Sequence, residues 1–328
     1  MEHVVAGLAP SSIRPHEQDG GATRNPTEFV SVVGVNRSGT TLMRNVLNQS
    51  DQLAIADENH FLGHLIASQG ARHAFRSLGP LSDDENVRRL VDFIYSGELR
   101  RVSKFKNYIH WGWLIHNVEK GVLVREILSS DRSERSLFVA FLRVFAKAQG
   151  KPIIGEKTPA HFRYVATLLE WFPNGRIIHM VRDPRATFVS DLKRRKEERP
   201  GKQARVFDML KRSDFLLKLF ILLVTSRAWA ESVSIACRFR TRFPDRYRLQ
   251  KFEDLVADPE GQVKEICRFL ETDFQPAMLE QFVVRGFQKG DAGFDGAAAS
   301  RWREHIDAWV ETWFRLCLGR RLSELGYL

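Results

Sequence analysis

Phe29 to Gln49 reads FVSVVGVNRSGTTLMRNVLNQ, and the fold of the chain turns on this stretch. Its first part, Phe29 to Val35, is apolar and rich in β-branched residues, which predicts a strand buried on both faces. Its last part, Thr40 to Gln49, repeats Leu42, Met43, Val46 and Leu47 at helical spacing. Between them, Gly34, Ser38 and Gly39 stand where a strand must turn sharply into a helix. The frame Gly34-x-x-x-x-Gly39-Thr40-Thr41 has the spacing of a phosphate-binding P-loop, in which backbone N–H groups and a positive helix end cradle an anion. The bland alternative is an ordinary strand-turn-helix carrying Ser-Gly-Thr by chance.

One substitution narrows the ligand. A loop that serves a nucleoside triphosphate needs a lysine after the second glycine to reach the terminal phosphates. Here that place is Thr40, and the nearby cation is Arg37, inside the loop. Thr41 keeps the hydroxyl position, yet without the lysine a magnesium triphosphate is poorly served. The loop suits a smaller terminal group.

Working outward, the chain has 328 residues, 43% hydrophobic and 27% charged, as an ordinary globular protein does. A formal net charge of +10 favours an anionic ligand, acceptor or surface, so a peripheral membrane-surface contact stays open. No base-reading module accompanies the charge, and nucleic acid is not expected as a partner. Three cysteines without CxxC spacing indicate neither a disulfide framework nor a zinc site, and a cytoplasmic setting is the default. Residues 1–27 read as a disordered N-terminal arm with no secretory pattern. The apolar run Phe215 to Val224 is interrupted by Lys218, is too short to span a bilayer, and reads as a buried helix.

Further strands are expected at Leu53–Ala56, Lys151–Gly155, Arg176–Val181 and Arg246–Phe252. Helices are expected at Ala160–Phe172, over 208–240, after Asp258-Pro259, and over Arg301–Leu325. Residues 61–150 look mostly helical, and Gly286 to Gly296 reads as a flexible loop. Strands alternating with helices predict an α/β, P-loop-containing, three-layer fold with a short parallel sheet flanked by helices. One domain over 28–328 would then carry a helical insertion at about 60–150 on the acceptor side. In such sheets ligands bind beyond the carboxyl ends of the strands. Glu58, Lys157 and Arg182 each follow an expected strand, as the P-loop does, which gathers a carboxylate, a lysine, an arginine and an anion cradle on one edge.

These motifs together resemble those of the sulfotransferases that use 3′-phosphoadenylyl sulfate (PAPS), particularly the bacterial and tyrosylprotein-type branch. GVNRSGTTLMRNVL is similar to that family's 5′-phosphosulfate loop and IIHMVRDPRATFVS to its 3′-phosphate segment, with GEKTP, KFEDLVADP and SRWR following in the family's order. The resemblance implies that Arg37, Ser38, Gly39, Thr40 and Thr41 hold the 5′-phosphate. It implies that Arg182, Ser190 and Arg194 hold the 3′-phosphate; residues 190 and 194 share a helix face at that spacing. Lys157 would approach the bridging oxygen, with Arg37 assisting, and Glu58 would be the general base, with Asp57 and His60 as rivals. PAPS is then the co-substrate, no metal is needed, and the acceptor is a small-molecule, sugar or lipid-linked hydroxyl or amine. Asn59 and His60 stand where the tyrosylprotein branch carries an arginine, which counts against a peptidyl-tyrosine acceptor.

The rival from another class is a P-loop kinase or NTPase, against which Thr40 and the Arg182/Ser190 pair speak. Several features carry bland readings. Lys193 to Lys196 is a solvated helix face in which only Arg194 is functional. His60 and His64 at i, i+4 lack the glutamate of a metal motif. Tyr108, His110, Trp111 and Trp113 form either core or acceptor pocket. Arg301-Trp302 begins a helix or closes over the nucleotide, and Phe252 replaces a tyrosine found in related enzymes.

Overall fold

The structure, a computed structural model, describes residues 26–64, 70–99, 109–197, 209–285 and 288–328. Most of the expected arm, and Tyr108, lie outside these residues. At the centre is strand β1 (Phe29–Gly34), every residue of which is buried. With β2 (Leu53–Ala56), β3 (Ile153–Lys157), β4 (Gly175–Val181) and β5 (Tyr247–Lys251) it forms a five-stranded parallel sheet in the order β2-β3-β1-β4-β5.

Side-chain alternation along the strands divides the core in two. Phe29, Val33, Ala54, Ala56, Ile177 and Val181 face the larger side. That side is covered by α6 (Glu134–Gln149), α7 (Val165–Trp171), α9 (Asp214–Arg242) and α12 (Ala308–Glu324). Val30, Val32, Ile55, Ile178 and Met180 face α1 (Thr40–Asn48), α10 (Phe252–Ala257) and α11 (Pro259–Leu270). The expected three-layer α/β fold is therefore present. The chain leaves β1 toward β2 and β3 on one side and reaches β4 and β5 on the other. Ligands gather beyond the strand ends at such a switch point, here between the carboxyl ends of β1 and β4.

Residues 71–149 are mostly helical where described: α2 (Ala71–Arg76), α3 (Asp84–Tyr95), α4 (Ile109–Asn117), α5 (Lys120–Leu128) and α6. Asp83 caps α3, its carboxylate accepting from the Glu85 amide at 2.9 Å. Asp258 caps α11 in the same way, accepting from the Gly261 amide at 3.1 Å, with Pro259 opening the helix as expected.

Five expectations need correction. Strand β3 runs two residues further, through Glu156 and Lys157, because partners inside the fold satisfy the Glu156 carboxylate. The segment after Pro159 winds as a tight 3₁₀ turn, Pro159–Tyr164, before α7, and the final segment likewise opens with a 3₁₀ turn, Arg301–Glu304, ahead of α12. Within the Gly-rich stretch, Gln288–Ala292 is a strand (β7) paired antiparallel with β6 (Phe282–Arg285). Finally, Phe215 to Val224 is only half a buried helix: Leu217, Ile221 and Leu222 enter the core, whereas Phe215 and Leu223 stand exposed.

Candidate active site

The loop from Val35 to Gly39 turns in a space too small for side chains at its two glycines. A Cβ on Gly34 would lie 2.5 Å from the Met180 carbonyl oxygen, and one on Gly39 would lie 2.5 Å from the Phe252 ring. Gly39 also needs φ 95°, the left-handed region open to glycine. The buried Ser38 hydroxyl donates to the Val35 carbonyl at 2.7 Å and cross-braces the loop. Thr40 and Thr41 start α1, whose first-turn amides have no partner within the helix. Arg37 adopts φ 69°, a strained backbone for a non-glycine residue, at the tip of the turn.

That strain accompanies a concentration of positive charge. Arg37 Nε donates to Ser190 Oγ at 3.0 Å, which joins the loop to α8 (Pro184–Glu197). Arg182, just past β4, donates to the Arg37 carbonyl at 3.2 Å and to the Ala298 carbonyl at 2.6 Å. Its guanidinium lies 4.2 Å above the centre of the Phe252 ring, and its buried Nε has no hydrogen-bond partner among the described residues. Arg194 lies one turn beyond Ser190 and is steadied by Asp191 at 3.0 Å. Burial and the neighbouring Arg37 push the Arg182 guanidinium down to about 10, and burial with Arg194 lowers Arg37. Burial and mutual repulsion therefore work against these cations as they stand, and a bound anion would relieve both.

A second constellation lies beyond β2 and β3. The pairing of Ala56 with Glu156 sets the chain after β2 beside the end of β3. Lys157, 2% exposed, reaches Asp57 Oδ1 at 2.7 Å and Glu58 Oε1 at 2.8 Å. His60 Nε2 lies 3.3 Å from the other Glu58 oxygen, and Arg44 of α1 lies 3.6 Å from Asp57. Burial by itself would raise the Glu58 carboxyl, but the Lys157 ammonium and His60 outweigh it and hold the group well below the usual carboxylate range. The two carboxylates in turn outweigh burial at Lys157 and raise its ammonium.

Beneath this pair runs a buried polar network that sequence reasoning missed. Ser31, the one hydroxyl in β1, donates to Glu156 Oε1 at 2.6 Å. His161 Nδ1 meets the same oxygen at 3.1 Å, while His161 Nε2 accepts from the Leu62 amide at 3.2 Å. Asn59 donates to Glu156 Oε2 at 3.4 Å, and Trp111 donates to the Asn59 carbonyl at 2.9 Å. Residues 57–62 are thus tied to the sheet from both sides. The available signal was Ser31 and Glu156 as isolated polar residues in apolar strands; their meeting depends on a β1–β3 register that the sequence does not display.

The family model described as "Sulfotransferase family" matches residues 30–276. The chain belongs to this family. Among its relatives is the omega-hydroxy-beta-dihydromenaquinone-9 sulfotransferase Stf3 of Mycobacterium bovis, 30% identical over 139 residues, or 42% of this chain and 33% of the relative. A protein-tyrosine sulfotransferase of Drosophila melanogaster is 23% identical over 261 residues, covering 78% of this chain and 40% of the relative. The matches thus span well under half of each relative's length. The sulfotransferase domain from the curacin biosynthetic pathway has the same fold, with a TM-score of 0.52 at 18% identity over 93% of this chain and 99% of that one. The sulfotransferase domain of the Synechococcus PCC 7002 olefin synthase has a TM-score of 0.51 at 21% identity, covering 92% and 98%.

Within this sulfotransferase-family fold the remaining candidates sort by contact. His60 and His64 stack ring on ring at 4.1 Å, and burial, then His60 and His161, push His64 down to about 3. Among the described residues no cluster of three or more His, Cys, Asp or Glu side chains could hold a metal. Trp111 is core, 1% exposed, while Trp113 is only partly buried against the same cluster. Trp302 is buried and carries the Arg185 guanidinium 4.5 Å from its ring centre, which fastens the segment containing Ala298 near Arg182. Phe252 has no hydroxyl to offer, yet it is the surface on which both Gly39 and Arg182 rest.

Proposed function

We propose that the chain is a PAPS-dependent sulfotransferase, moving a sulfuryl group in line from 3′-phosphoadenylyl sulfate to an acceptor hydroxyl or amine. The observation that carries this reading is the partly buried arginine cluster at a P-loop without its lysine, with a lysine–glutamate pair at the neighbouring strand ends. The loop amides with Arg37, Ser38, Gly39, Thr40 and Thr41 would receive the 5′-phosphate. Arg182, Ser190 and Arg194 would receive the 3′-phosphate. Negative charge develops on the departing 5′-phosphate, and preoriented amides and cations stabilise such charge without reorganising.

Lys157 and Glu58 then divide the proton and charge work. In the resting site each neutralises the other, so Glu58 is a weak base. When Lys157 turns to the bridging oxygen of the donor, Glu58 loses the partner that depresses it, and its burial favours taking a proton. The S–O bond to the 5′-phosphate breaks, a bond from sulfur to the acceptor atom forms, and the acceptor proton passes to Glu58. Asp57 remains as the counter-charge to Lys157. The helices over 71–149, which lie toward the carboxylate end of the site, are the proposed acceptor side. A small-molecule, sugar or lipid-linked acceptor fits this reading. The three free cysteines support a reducing, cytoplasmic setting.

Thermal melting tests the donor directly. Adenosine 3′,5′-bisphosphate without magnesium should raise the melting temperature, and ATP with magnesium should do much less. A preference for magnesium ATP would replace this reading with a P-loop kinase or NTPase.

A further inference from the structure

Helix α9 presents a second surface, separate from the site. Leu216, Leu219, Phe220 and Leu223 recur at helical spacing along one face. Leu216 is 48% and Leu223 47% exposed, with Val224 beside them at 39%. Phe215, 59% exposed, sets its ring 5.9 Å from that of Trp309 at the start of α12, so the apolar patch crosses between two helices. The opposite face of α9 carries Leu217, Ile221, Trp229 and Val233 into the core, so the helix lies along the protein rather than leaving it, although it has the length and hydropathy to cross a membrane.

Among the described residues, the charges around the patch have one sign left over. Asp214 and Asp307 are both held by Lys218, at 2.9 and 2.7 Å, and Lys196 of α8 also reaches Asp214. Glu231, further along α9, is paired with Arg163 at 2.7 Å. Arg212, just before the helix, and Arg227, beyond Val224, are exposed at the two ends of the apolar face.

We propose that this face seats the protein on an anionic lipid bilayer. An apolar stripe with aromatic rings and flanking arginines matches the boundary between acyl chains and anionic headgroups. A second copy of the chain is the poorer occupant. A two-fold contact would set Arg212 and Arg227 against their own counterparts in a chain of net charge +10. Under the proposed sulfotransferase activity, seating would let a hydroxyl borne by a lipid be sulfated at the membrane surface. The bilayer contact itself does not depend on that activity.

The test is co-sedimentation of the full chain with phosphatidylcholine vesicles, with and without phosphatidylglycerol, at low and high salt. Binding is expected with the anionic vesicles, weakened by salt. It should fall by about tenfold or more in the double variant Leu216→Asp/Leu223→Asp, and similarly in Arg212→Glu/Arg227→Glu. Melting temperature and bisphosphate binding should stay unchanged in both, which separates this proposal from the donor assignment. Absence of vesicle binding, or binding indifferent to the leucine pair, would overturn it. So would a concentration-dependent dimer in sedimentation velocity that the leucine pair abolishes, since a second copy would then own the face.

Discussion

The two ends of the site are built by opposite means. At the phosphate end, two short contiguous stretches, 34–41 and 182–194, supply the glycines, the amides and all three arginines. At the carboxylate end, Glu58 and His60 follow β2 whereas Lys157 ends β3, and they meet only because β2 lies beside β3. The first end owes its chemistry to local geometry, the second to topology. A change at the first should therefore act on what is held, and a change at the second on what is done to it.

The sharpest break of this comparison is Glu58→Gln. It keeps the side-chain shape, and Asp57 keeps Lys157 paired. If Glu58 is the base, turnover should fall by about 10²- to 10⁴-fold while bisphosphate affinity measured by calorimetry barely moves. Near-normal turnover would place the base elsewhere, with His60 the next to test.

His110 offers the next largest effect, this time on stability. It is 1% exposed, neither ring nitrogen has a hydrogen-bond partner among the described residues, and burial pushes it down to about 4 from 6.5. The unfolded chain therefore binds a proton that the folded chain refuses, and stability falls as pH drops from 6.5 toward 4. At full extent this is worth up to ~3 kcal/mol. His110→Phe should remove that part of the acid decline in denaturant melts taken across the window, and an unchanged slope would assign it to other groups.

Arg182→Ala should do at the phosphate end what Glu58→Gln does not. Loss of a charge-assisted contact costs about 1.5–3 kcal/mol, or about one to two decades in affinity for the bisphosphate. The effect belongs in the donor KM, with a smaller change in kcat. A change in kcat alone would dissolve the division between the two ends. The smallest effect expected is that of Asp83→Ala, which removes the cap of α3 and should cost about 1 kcal/mol of stability. Donor affinity should not change; if it does, the helical side is coupled to the phosphate end.

The same contrast explains what the sequence disclosed. Gly34, Gly39, Arg37 and Arg182 were readable because a sharp strand-to-helix turn constrains neighbours in the chain, and β1, β2 and β4 were signalled by their own apolar runs. Glu58 and Lys157 could be set on one edge because each follows an expected strand. Their direct pairing could not be read, since it needs the strand order. The Ser31–Glu156–His161 network was hidden for the same reason. The exposed half of Phe215 to Val224 was misjudged because an apolar run predicts burial without telling which face finds a neighbour. The pairing of β6 with β7 was hidden by glycines that looked like a loop.

The ring of Phe252 has a consequence for ligand choice. Gly39 abuts one part of it, Arg182 sits 4.2 Å over its centre, and Arg182 is also bonded to the Arg37 carbonyl. The two proposed phosphate sites are therefore bolted to a common plate, with a separation set by hard contacts rather than by the reach of flexible side chains. Such an arrangement works as a fixed-length gauge. Adenosine 2′,5′-bisphosphate would engage the loop with its first phosphate and arrive at the wrong mark with its second.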